Sequence, residues 1–233
     1  TTLGTGYASG GSFSIASANV PTSNFTNLNL PTGVTANSSV NLTYTGSALI
    51  NGTLNNSSTA TQLNVGSTAT IGGTVNFNDF ATMTAGSDIS GTGTLNAGSQ
   101  GINLVSTTGS IYGANTSSAL STTTQSLSAN AGGSVVRVNN TFANTYINPS
   151  SVGSGGNLEI TTSGNTIIAG GINSSTSRAS QISISSGNFI RPFTGATYTF
   201  YGDTVNLSTA NNGEIGLAAF NWPIYLAANN VVL

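Results

Sequence analysis

The sequence predicts an all-β fold, a right-handed parallel β-helix (β-solenoid) wound from one short unit used repeatedly. Three observations predict it: a recurring apolar-x-apolar pair followed by a turn and a closing isoleucine, an almost uncharged composition, and little helical periodicity. Of 233 residues only 3% are charged, against about 25% in an ordinary globular domain. Disordered chains combine low hydrophobicity with high net charge. Here 37% of residues are apolar and the formal net charge is −2, so the apolar residues must be buried. Solubility then rests on Asn, Ser and Thr.

The unit can be counted. Leu158-x-Ile160 runs through a Thr-Thr-Ser-Gly-Asn turn to Ile167. Ile182-x-Ile184 leads likewise to Ile190, Val205-x-Leu207 to Ile215, and Ile224-x-Leu226 begins again and reaches Val231. Earlier, Leu42-x-Tyr44 closes at Ile50, Leu63-x-Val65 at Ile71, Ala81-x-Met83 at Ile89 and Ile102-x-Leu104 at Ile111. The starts at 42, 63, 81, 102, 158, 182, 205 and 224 leave one long gap, which takes two degenerate units near Leu127 and Val136. Such spacing means a solenoid, of roughly 9–11 coils of about 18–25 residues, each unable to bury its apolar row without its neighbours.

A second regularity points the same way. Val65, Ile71, Phe77, Met83, Ile89 and Leu95 lie six apart, and three such hexads make an 18-residue coil with three faces. A β-sandwich also uses short strands with regular turns, but recurrence of one unit favours the solenoid. Residues 1–40 read as an amino-terminal β edge, capping or docking segment, because Pro21 and Pro31 interrupt the strand-like Phe13-x-Ile15 and Leu28-x-Leu30. Residues 41–233 form the solenoid, continuous with that segment. The opening Thr1-Thr2-Leu3-Gly4 has neither Met nor a basic stretch and reads as a mature or excised piece.

Gly155-Gly156-Asn157-Leu158-Glu159-Ile160-Thr161-Thr162-Ser163-Gly164-Asn165 and Ala169-Gly170-Gly171-Ile172-Asn173 resemble the repeats of filamentous-haemagglutinin-like secreted adhesins, the exoproteins of two-partner secretion. The resemblance is clearest over 155–233 and looser over 42–112. It implies an extracellular, cell-surface adhesin or filament shaft with a parallel β-helix fold, and it carries over no catalytic residue.

The residue inventory narrows the chemistry. Without His, Cys or Lys, the Ser-His, Cys-His and Ser-Lys nucleophile systems are ruled out and zinc loses its main ligands. A glycosidase needs two carboxylates flanking one bond. Asp79, Asp88, Glu159, Asp203 and Glu214 share no phase of the repeat, so a non-enzymatic protein without a cofactor is expected. Arg137, Arg178 and Arg191 are too few to neutralise a polyanion, which argues against nucleic-acid binding. No apolar run is long enough for a membrane helix, so no membrane insertion is expected. Sequons such as Asn24-Phe25-Thr26 follow from so much Asn, Ser and Thr.

Two candidate sites remain. Tyr198, Phe200, Tyr201, Phe220, Trp222 and Tyr225 are the only aromatic concentration, a core cap or a docking platform for a glycan or receptor. Val231, Val232 and Leu233 end inside a unit and suit end-to-end stacking into filaments or oligomers. The alternatives are an ice-binding solenoid and a carbohydrate-binding or -degrading β-helix. For ice, Thr43/Thr45, Thr59/Thr61, Thr68/Thr70, Thr82/Thr84 and Thr92/Thr94 are present, but their offsets scatter and predict no single column.

Overall fold

The computed structural model describes residues 27–39, 41–194, 197–211, 213–216 and 224–233, together with the strands Gly11–Ile15 and Asn24–Phe25. The chain is all-β, with parallel strands stacked into a solenoid of about 9 turns. Each turn visits three faces in order. The first face starts with Leu28–Leu30, Ala48–Ile50 and Ala69–Ile71. The second starts with Val34–Ser38, Thr53–Asn56 and Thr74–Phe77. The third starts with Leu42–Tyr44, Thr61–Val65 and Ala81–Ala85.

Strand alternation sends every second side chain inward. On the first face this produces one uninterrupted apolar column: Leu28, Ala48, Ala69, Ile89, Ile111, Val136, Leu158, Ile182, Val205 and Val231, each paired with the next. From Ala48 to Val205 every member is buried. Burying such a side chain stabilises the fold by about 1.5–3 kcal/mol, and no coil can do it alone. The described strands of the first forty residues belong to the same stack: Gly11–Ile15 pairs with Val34–Ser38 and Asn24–Phe25 with Leu42–Tyr44.

The hexad series is inside throughout, two members on each face, as three-faced winding requires. The 18-residue coil inferred from it is not what forms. Met83 stacks on Leu63 and Leu95 on Val75, twenty residues apart, so three hexads fall two residues short of a turn. Coils range from 18 residues (Thr35 to Thr53) through 27 (Leu95 to Thr122) to 28 (Ile172 to Phe200). The unit starts also need correcting. Ala81 pairs with Thr61 instead of Leu63, and those early starts lie on the third face. The starts at 158, 182 and 205 lie on the first, and Val205 pairs with Val231, while Ile224 pairs with Tyr198.

The turn between the first and second faces is made in two ways. In the early coils Ile50-Asn51-Gly52-Thr53 and Ile71-Gly72-Gly73-Thr74 bend sharply. Gly52, Gly73 and Gly93 lie in line, each just before a threonine of the paired series Thr53, Thr74 and Thr94. A Cβ on Gly73 would run into the carbonyl oxygen of Gly52, and one on Gly93 into that of Gly73. In the later coils Leu120 takes the next place in that line and Val138, Ile160, Ile184 and Leu207 continue it, all buried. Leu120 still follows a turn after Ile111–Tyr112, but from Val138 on no corner forms. Val135–Asn140, Asn157–Thr162 and Ala179–Ser186 therefore run straight from the first face into the second.

The next inward column changes character at the same place. Ala36, Leu54, Val75 and Leu95 are followed by Thr122, Asn140, Thr162 and Ser186, still buried. Here the polar side chains bind the corner into the third face. Asn140 Nδ2 donates to Thr124 O (2.8 Å) and Thr145 Oγ1 (2.6 Å), while its Oδ1 accepts from Thr122 Oγ1 (2.9 Å) and Thr124 N (3.0 Å). Thr162 and Thr166 hydroxyls lie 2.6 Å apart, and Ser186 Oγ donates to Gly164 O and Phe189 O, each at 2.8 Å. Among the described residues no buried side-chain nitrogen or oxygen lacks a partner, as burial in a low dielectric demands.

Candidate functional site

The described members of the aromatic cluster expected near the end of the chain do not share one surface. Phe200 pairs with Ile172 below and Leu226 above and is fully buried, so it is a core residue and makes no glycan contact. Tyr198 and Tyr201 are half-buried on the same strand, and Tyr225 is exposed one coil above. Phe220 and Trp222 lie outside the described residues.

The last described rung is exposed. Val231 rests on Val205, and Val232 pairs beside Asn206. Their exposures, 48% and 56%, rise to 77% at Leu233, whereas Val205 is at 0%. The last rung thus presents an apolar row and an unpaired strand edge among the described residues.

A different aromatic site lies on the side of the solenoid. A groove of about 570 Å³ is lined by Gln125, Ser126, Tyr146, Asn148, Phe193 and Tyr198, among others. Ser126 and Tyr146 are neighbours across two coils, and the next coils add Ile167 and Arg191 to the same outward column. Tyr146 and Phe193 meet edge to face with ring centroids 5.9 Å apart, and Phe193 is 45% exposed. Asn148 Nδ2 donates to Ser126 Oγ at 2.6 Å, fixing an amide and a hydroxyl on the groove wall. Beside it the Arg191 guanidinium lies over the Phe189 ring, 4.5 Å from its centroid. Nothing in the sequence flagged this constellation, since its members are spread over 74 residues; the usable signal is recurrence at about one coil's spacing.

The charged residues serve the stack. Arg137 and Glu159 are paired across adjacent coils, with Nε 2.9 Å from the carboxylate. Arg178 reaches the two coils above its own: Asp203 Oδ1 at 3.4 Å, Gly202 O at 2.7 Å and Ala227 O at 2.8 Å. Asp88 accepts from Ser110 N and from Tyr112 Oη, both at 2.8 Å. That bond and partial burial raise the Tyr112 phenol above its usual range. Asp79 accepts from Phe80 N at 2.7 Å. Among the described residues there is no group of three potential metal ligands and no helix long and apolar enough to cross a membrane.

The second face carries an outward array that the Thr-x-Thr doublets did not reveal. Thr35, Thr53, Thr74 and Thr94 form one column, and Asn37, Asn55, Asn76 and Asn96 the next. Each amide Nδ2 donates to the Oδ1 of the asparagine in the coil below, at 2.8, 2.8 and 3.2 Å. No family model matches the chain, and neither does any curated protein or solved structure.

Proposed function

We infer that the protein is a structural element, a shaft segment of an extracellular surface adhesin or filament of the filamentous-haemagglutinin-like kind. The observation that carries this is the apolar column from Leu28 to Val231, which makes every coil depend on its two neighbours and on no special site. Ten rungs at about 4.8 Å give a rod of about 45 Å. Ser, Thr and Asn cover it with almost no charge, and the exposed Val231, Val232 and Leu233 offer an apolar surface to one more coil, whether of the same polypeptide or of another copy. Electron micrographs should show rods, and sedimentation should show end-to-end association that rises with concentration. Globular particles, or a strictly monomeric species at high concentration, would count against it.

The Thr/Asn array favours a second reading, an ice-binding face, because its two columns repeat about 4.8 Å along the stack and about 6.7 Å along each strand. Thermal hysteresis in dilute solution would establish it; none at saturating protein would dismiss it.

A further inference from the structure

We propose that the groove around Tyr146, Phe193 and Tyr198 is a binding site for a neutral oligosaccharide. This goes beyond the shaft reading, since the groove would bind whether or not the rods stack. Its chemistry selects the ligand class. Sugar rings have apolar C–H faces, which stack on aromatic rings, and hydroxyl rims, which need donors and acceptors at fixed positions. Tyr146 and Phe193 supply two rings held at 64° to each other. Gln125, Ser126 and Asn148 supply amides and a hydroxyl along the same wall, with Asn148 already oriented by Ser126.

The shape agrees. The lining residues come from four successive coils, so the groove runs about 14 Å along the axis, enough for a short oligosaccharide laid parallel to the rod. No carboxylate and no guanidinium is among its described lining residues. An anionic glycan would find only the single Arg191 guanidinium, stacked on Phe189 beside the groove, and no counter-charge among the described lining residues; an extended peptide would find no free sheet edge, since the strand pairing continues from Asn144–Ile147 through Asn165–Ile168 to Ile190–Pro192. A second groove, lined by Asn130, Pro149 and Asn173 among others, has no aromatic ring among its described lining residues.

The test is titration of the whole chain by calorimetry with neutral oligosaccharides of β-linked glucose, xylose and N-acetylglucosamine, with a sulfated glycan and an uncharged peptide as comparators. At least one neutral sugar should bind with little dependence on salt. Phe193→Ala and Tyr146→Ala should each weaken it by about tenfold, while Tyr225→Ala leaves it unchanged. Thermal unfolding of each variant separates lost binding from lost fold, and Tyr146→Phe, which keeps the ring, should retain most of the affinity. No binding by any neutral sugar, equal binding by the alanine variants, or a preference for the sulfated glycan or the peptide would overturn the proposal. Rod formation in micrographs is independent of every one of these outcomes.

Discussion

The early coils turn on glycine, and the later coils do not turn there at all. From Gly52 to Gly93 the first and second faces meet at a corner where a Cβ would strike the coil below. From Leu120 to Leu207 the same line is filled by large apolar side chains, and from Val138 on the two faces fuse into continuous strands. The cost of the missing corner appears one column further on, where apolar Leu54 and Val75 give way to buried Thr122, Asn140 and Thr162. The bend has moved there, and hydrogen bonds close it. One fold therefore contains two solutions to the same problem, a sterically minimal corner and a hydrogen-bonded one.

Exchanging the two solutions tests this reading. The largest effect is expected from Ile160→Gly, which installs the early residue in a late coil; lost packing and added backbone freedom should cost about 4–5 kcal/mol in denaturant unfolding. The reverse exchange, Gly73→Val, should cost about 3 kcal/mol through collision with the Gly52 carbonyl. If Gly73→Val is neutral, the early corner is not sterically enforced. Asn140→Ala should cost about 2–3 kcal/mol, because it strands Thr124 N–H and two hydroxyls in the interior. Amide hydrogen exchange at Thr124 should quicken in that variant ahead of its neighbours.

An alkaline titration sharpens the comparison further. Burial pushes the Tyr44 phenol, in an early coil, up to about 12. The neutral form is favoured in the fold, so this contribution is complete below about pH 10 and is lost as pH rises from 10 through about 12, amounting to about 2–3 kcal/mol. Phenolate absorbance and exchange should therefore show the early coils loosening in that window. The smallest effect belongs to Arg137→Ala: its pairing with Glu159 is partly exposed and should contribute less than about 1 kcal/mol.

These contrasts also explain what the sequence disclosed. Apolar-x-apolar units were legible because strand alternation and burial act locally, so Leu158-x-Ile160 and Ile182-x-Ile184 announce strands wherever they stand. The phase of the repeat was not legible. In early coils such a pair marks the third face, and in later coils it marks the fused first and second faces. One template therefore counted Ile224 as the successor of Val205, where the structure pairs Val231. Phe200 looked like its aromatic neighbours, but alternation alone did not say which of them faced the core. The Arg137–Glu159 and Arg178–Asp203 pairs were readable in principle, being 22 and 25 residues apart, each about one coil. The groove at Tyr146 and Phe193 needed the register of four coils, which no single segment contains.

Coils of 18 and of 27 residues raise the chain by the same axial step, because only the paired rungs set the rise. Length along the axis is thus counted in turns and is independent of how many residues a turn spends. Extra residues go sideways, into loops that widen the cross-section. Such a molecule works as a ruler with fixed graduations and variable decoration: insertions at its corners change what the flank displays and leave the reach of the rod unchanged.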